Sequence, residues 1–148
     1  MQSIDNRITL ATSGHRDTYP EQVANDFIYS VKDRNIILYN GGAEGWDTAV
    51  LKACLDFNVP YILNLPFATS KRKLPQFLID NAVRCDVLHD RFRKPLDNKY
   101  YHMRDQNMVD KSVELHIYWD GRTEHSGTYK TMIYARKKGI PIINWCKK

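Results

Sequence analysis

At 148 residues, of which 43% are hydrophobic, the chain is long enough to bury one core and short for two, so a single domain over 1–148 is expected. No stretch reaches the roughly 20 apolar residues of a membrane-spanning helix, and MQSIDNRITL lacks the basic, apolar and small-residue regions of a signal peptide, which together predict a cytoplasmic protein with no membrane partner. A net charge of +5 favours anionic partners such as nucleotides or nucleic acid, although SKRK, RFRK and the terminal CKK, which read equally as solvated loops, supply much of it.

Apolar runs and helical patterns then alternate along the chain. RITLAT reads as a first strand ending in the loop SGHRDTYP. Thr18 and Glu21 have the spacing of a capping box, and Val23, Phe27, Ile28 and Val31 recur at helical intervals. NIILY is nearly all apolar, as in a strand buried on both faces. Next come the turn NGGAEG and a helix from Trp46 to Asp56, burying Ala49, Val50, Ala53 and Cys54, and then the strand VPYILNLP.

LPQFLIDNAVR is read as a helix, CDVLH as a short strand and RFRKPLDNKY as an irregular loop. YYHMRDQNMVDKS is a helix leading into VELHIYW, where Val113, Leu115, Ile117 and Trp119 alternate with Glu114, His116 and Tyr118, so the second set is expected on a less buried face. The loop DGRTEHSGT opens the helix YKTMIYARKK, which Gly139 ends, and IPIINW is the last strand. Such alternation predicts an α/β, Rossmann-like, three-layer α/β/α fold with a mostly parallel sheet. In these sheets ligands sit beyond the carboxyl ends of the strands.

Three loops should therefore gather on that rim: SGHR, NGGAEGWD and DGRTEHSGT. Gly41, Gly42 and Gly45 precede a helix start, where amides and a partial positive charge suit an anion, or else they only turn a corner. Ser126, Gly127 and Thr128 offer a second helix start with two hydroxyls, and Arg16 and Arg104 are available as anion forks. Neither loop is a Walker A motif or GxGxxG, which disfavours a dinucleotide dehydrogenase. The five histidines lack metal-ligand spacing, so no metal and no cofactor are expected; His15 and His125 lie in the candidate loops as phosphate or base contacts or as ordinary loop residues. Trp46 is read as stacking on a base or packing on its neighbours, and the odd set Cys54, Cys85 and Cys146 as reduced thiols.

In that order, ITLATSGHR, NGGAEGWDTAVLKAC, MRDQNMVDKSVELHIYW and SGTYKTMIYARKKGIPII resemble the signature of the SLOG superfamily, from about Ile8 to Ile143 except around 66–100. That Rossmann-like group includes the YspA-like proteins, the DNA-processing protein A family and the Lonely Guy phosphoribohydrolases. The YspA-like pattern is matched by Gly14 and Arg16, by Gly41, Gly42, Ala43, Gly45 and Asp47, by Arg104 and Met108, and by Gly127 and Thr128. Asp105 stands where asparagine is usual, Asn107 follows two positions later, and Ser126 replaces a glycine.

The resemblance implies a pocket for a nucleotide or an ADP-ribose-like ligand, lined by these residues with His15, Asp120 and Gly121. The glutamate that serves the Lonely Guy enzymes falls on Thr131, which cannot supply a carboxylate. A binding or sensing module without turnover is therefore the first expectation. The second is a nucleotide N-glycosidase or (deoxy)ribosyltransferase using Arg104 with Glu44 or Asp47, Glu124 being a further carboxylate beside the loops. The third, by likeness to DNA-processing protein A, is binding of single-stranded DNA. Members of the superfamily often pair, so a homo-oligomer is implied as well.

Overall fold

The computed structural model of the chain describes residues 7–89 and 99–147. Six strands form one sheet: β1 (Ile8–Gly14), β2 (Ile36–Asn40), β3 (Tyr61–Phe67), β4 (Arg84–His89), β5 (Glu114–Tyr118) and β6 (Ile142–Asn144). Their order is β4-β3-β2-β1-β5-β6, and every pairing is parallel. β2 and β3 are buried at every residue, as a strand covered on both faces must be.

Helices α1 (Glu21–Val31) and α2 (Trp46–Asp56) cover one face, where Phe27, Ile28, Trp46 and Val50 pack on Leu10, Leu38, Leu63 and Leu65. The short α3 (Gln76–Asp80) adds Leu78 to that layer. On the other face α4 (Lys99–Asp110) and α5 (Gly127–Lys138) bring Met108, Val109, Met132 and Ala135 onto Ala11, Ile37, Ile62, Leu115 and Ile117. Strand alternation sends successive side chains into opposite layers, giving the three-layer α/β/α arrangement. Gly139 ends α5 in the left-handed conformation, with its amide donating to Ala135.

Three local expectations are corrected. Thr18 does not cap α1: the helix begins at Glu21 after Pro20, and Thr18 Oγ1 is buried without a hydrogen bond among the described residues. The segment 74–84 is not one helix. Pro75 keeps Leu74 extended, at ψ 139°, so α3 starts only at Gln76, while the SKRK segment coils into a 3-10 turn (Ala68–Lys73). His116 is buried rather than on an open face, stacked 4.4 Å from Phe27 with Trp145 Nε1 donating to its Nδ1 at 2.9 Å. α1 and the C-terminal segment cover that side of β5, which the alternation in the strand itself could not reveal. The loop expected over RFRKPLDNKY falls mostly outside the described residues.

Gly45 is closely enclosed by backbone at the rim. Its φ is +77°, and a Cβ there would stand 2.4 Å from the His15 carbonyl oxygen and 2.6 Å from that of Thr18. Gly45→Ala is therefore expected to cost about 1–3 kcal/mol, read as a lower urea midpoint with an unchanged slope.

Candidate ligand-binding site

Chain order runs outward from β1 through β2, β3 and β4 on one side and resumes at β5 on the other. The segments leaving the carboxyl ends of β1 and β5 therefore part, which opens a crevice between them. A cleft of about 400 Å³ occupies this point. Its walls come from the end of β1 and the loop after it (Thr12 to Asp17), from the turn after β2, from one face of α4 around Tyr101 and Arg104, and from the segment that leads from Arg122 into α5.

The amino end of α5 is open to the cleft. Ser126 caps it by accepting from the Tyr129 amide at 3.0 Å, and Ser13 Oγ lies 3.4 Å from Thr128 Oγ1. The Gly127 and Thr128 amides have no acceptor among the described residues, the usual state of the first helical turn. A Cβ on Gly127 would meet nothing within 4 Å, so an anion can approach these two donors.

The turn after β2 is arranged differently. The Gly42 amide donates to Asn40 Oδ1 at 2.8 Å and the Ala43 amide to Asp47 Oδ2 at 3.2 Å, so both donors are already used by side chains. Gly41 is a place of close approach, since a Cβ there would lie 2.6 Å from Arg104 Nη1, which donates to the Gly41 carbonyl oxygen at 2.6 Å. Gly41 and Gly42 face a smaller neighbouring hollow rather than the main cleft.

Three arginines line the cleft, and two are tied to carboxylates. Arg104, 5% exposed, donates from Nε to Asp105 at 2.6 Å, and Thr131 Oγ1 donates to the other oxygen of Asp105 at 3.0 Å. Arg122 bridges Asp120 at 2.6 Å and Asp17 at 2.9 Å. Arg16 is exposed, lies 5.0 Å from the centre of the Tyr101 ring, and has no carboxylate partner among the described residues.

Asp47 is, like Asp105, a buried carboxylate of the cleft. It accepts from Ala43 and from Thr12 Oγ1, the latter at 3.4 Å, and burial raises its pKa to about 6 against the pull of Arg104. Burial first, and the charge of Arg122 second, lower the pKa of His15, whose Nε2 is 3.1 Å from the Asp120 amide. Hydrogen bonds from Arg122 hold the Asp120 carboxyl well below its ordinary range.

The cleft thus gathers Gly14, His15, Arg16, Ala43, Asp47, Arg104, Ser126, Gly127, Thr128 and His125. Glu44 is exposed on the smaller hollow, and Gly45 is buried in the turn. Asn107, Gly121 and Glu124 line neither cavity, and Asp120 acts from behind through His15 and Arg122. Trp46 packs inside the fold, stacked against Tyr118 at 5.4 Å. Sequence reasoning missed Tyr101 and the role of Asp105. Helical spacing from Arg104 could have found Tyr101, three residues earlier on the same face.

No protein-family model matches the sequence, and no curated protein is similar to it. Among solved structures, the fold is similar to DNA processing protein A from Streptococcus pneumoniae, with a TM-score of 0.70 and 18% identity over 92% of this chain and 49% of that one. A structure of DNA processing protein A from Helicobacter pylori, described for its single-stranded DNA binding mode, gives 0.70 and 19% over 94% and 65%. The molybdenum cofactor binding protein of the phototrophic bacterium Rippkaea orientalis gives 0.69 and 15% over 93% and 76%. This chain spans about half the length of the Streptococcus protein. At these identities the likeness is one of fold, and it is the fold that the order of motifs implies.

Proposed function

We propose that the protein binds a nucleotide or nucleotide-derived phosphorylated ligand in the cleft between the carboxyl ends of β1 and β5. The observation that carries this is that Gly127 and Thr128, whose amides have no acceptor among the described residues, share one cavity with Arg16, which has no carboxylate partner among them. A phosphate seated on α5 satisfies the amides and meets the helix dipole. Arg16 neutralises it, Arg104 adds its free Nη2, and Tyr101 offers a ring face for the base. A cavity of about 400 Å³ suits one nucleoside unit.

Calorimetry with a panel of nucleoside 5′-monophosphates tests this directly. At least one is expected to bind tighter than about 1 mM. Arg16→Ala is expected to weaken it by about tenfold or more, the worth of one charged hydrogen bond, with no change in melting temperature because Arg16 is exposed. Failure of every monophosphate to bind removes the proposal.

The raised pKa of Asp47 supports a second reading, cleavage or transfer at an N-glycosidic bond. Asp47 is placed in the cleft beside Arg104, where a carboxylate can stabilise an oxocarbenium-like sugar or take a proton from water. Thr131, at the position of the Lonely Guy glutamate, instead holds Asp105. This chemistry predicts release of free base from a monophosphate, lost in Asp47→Asn; no release from any monophosphate contradicts it. Binding of single-stranded DNA, suggested by the charge of +5 and by the fold shared with DNA processing protein A, predicts an affinity that falls steeply with salt.

A further inference from the structure

A second hollow of about 40 Å³ adjoins the main cleft, and Arg16, Ala43, Tyr101 and Arg104 form the wall between them. Its far side is built by Ser70 and Lys73 of the 3-10 turn, with Glu44 at its edge. Lys73 is exposed and has no carboxylate partner among the described residues; Lys71 and Arg72, beside it, have none either. Arg16, on the wall of the same hollow, has no carboxylate partner among the described residues either. The small hollow therefore lies between two positive charges that no carboxylate of the described residues holds, on the side of the wall away from α5.

Building on the binding proposed above, we infer that the ligand carries two phosphate groups separated by a sugar, as in a nucleoside 3′,5′-bisphosphate or the repeating unit of an oligonucleotide. The first phosphate sits on the Gly127 and Thr128 amides. The second sits between Arg16 and Lys73, where the Ser70 hydroxyl can donate to it. Three features favour this spacing over adjacent phosphates. The small hollow is about a tenth the volume of the main cleft and is lined by cations and a hydroxyl, which suits the smaller, charged group of the ligand. The wall of Tyr101 and the arginines separates it from α5, so a pyrophosphate held at the helix does not span both places. Glu44 at the edge repels a further phosphate but accepts from a sugar hydroxyl.

The test is a calorimetric comparison of 5′-monophosphates, 5′-diphosphates and 3′,5′-bisphosphates of adenosine, guanosine, cytidine and uridine at one ionic strength, on wild type and Lys73→Met. The bisphosphate of the preferred base is expected to bind about tenfold tighter than its monophosphate, through one further charged contact. The 5′-diphosphate, of similar charge, is expected to gain no more than about twofold. Lys73→Met should erase the bisphosphate advantage and leave monophosphate affinity unchanged; Lys73 is exposed, so the variant folds. A 5′-phosphorylated dinucleotide separates the two sources: tighter binding than the bisphosphate indicates an oligonucleotide, and equal binding a small molecule.

Equal affinity for diphosphate and bisphosphate, or a loss in Lys73→Met that strikes the monophosphate as strongly, overturns the second subsite while leaving the main cleft intact. Absence of binding by all of them overturns both.

Discussion

Arg104→Met is expected to lower the stability of the protein by about 3–5 kcal/mol, the usual cost of breaking a buried ion pair by removing one partner. Arg104 is 5% exposed and Asp105 8%, and the guanidinium serves both Asp105 and the Gly41 carbonyl oxygen at 2.6 Å. Methionine fills much of the same space but leaves Asp105 with Thr131 as its remaining donor and the Gly41 oxygen without one. Asp47 also loses the positive charge that most favours its ionised form. The check is urea unfolding of Arg104→Met, Asp105→Asn and the double variant. The double variant is expected to be more stable than the sum of the two singles predicts, because the second change removes the charge that the first one strands. A loss below about 1 kcal/mol for Arg104→Met would show that the pair is solvated and that the base of the cleft is not rigidly built.

Asp47→Asn should act in the opposite direction. The carboxyl has a folded pKa of about 6 against an ordinary 3.8, because burial outweighs the stabilising charge of Arg104. A raised carboxyl pKa means that the folded protein holds this proton more tightly than the unfolded chain does. Its contribution is most favourable below the ordinary value and is lost as pH rises towards about 6. The full penalty at neutral pH is roughly 3 kcal/mol. Asparagine retains an oxygen for the Ala43 amide, and its amide group can donate to the Thr12 hydroxyl, which then turns to accept.

The variant is therefore expected to be more stable than wild type at pH 7, by up to about 3 kcal/mol, with the difference vanishing near pH 4. Subtracting the two pH profiles removes the opposing contribution of Glu114, whose pKa is held down to about 2, chiefly by hydrogen bonds from Arg34. A variant less stable than wild type at pH 7 would mean that the ionised carboxylate is structural. Asparagine also takes a negative charge out of the cleft, so phosphate binding should persist while any base release ends.

Much of the architecture was legible in the sequence because its signals are local. The runs of β2 and β3 are almost wholly apolar and buried, and the loops after β1, β2 and β5 carry the glycines and hydroxyls of the rim. The purpose of those glycines was not local. Gly41 makes room for Arg104, 63 residues away in the chain, and Gly45 makes room for the carbonyls of the loop after β1. Read as one motif they suggested an anion cradle, whereas the turn after β2 has its Gly42 and Ala43 amides bound by Asn40 and Asp47. The second half of the expected cradle, Ser126, Gly127 and Thr128, does open a helix into the cleft. The burial of His116 could not be read from spacing, since it depends on Trp145, and neither could the early end of α3 at Asp80, ahead of a β4 that begins at Arg84.

The most direct measurement follows the Gly127 and Thr128 amide resonances by 15N NMR during titration with a nucleoside 5′-monophosphate and, separately, with the parent nucleoside. Both amides should shift strongly with the monophosphate and far less with the nucleoside, and Arg16→Ala should reduce the shift at equal ligand. Saturation with the monophosphate that leaves both resonances in place, or that moves only residues at the opposite rim around Asn35 and Asn58, would contradict phosphate recognition at α5.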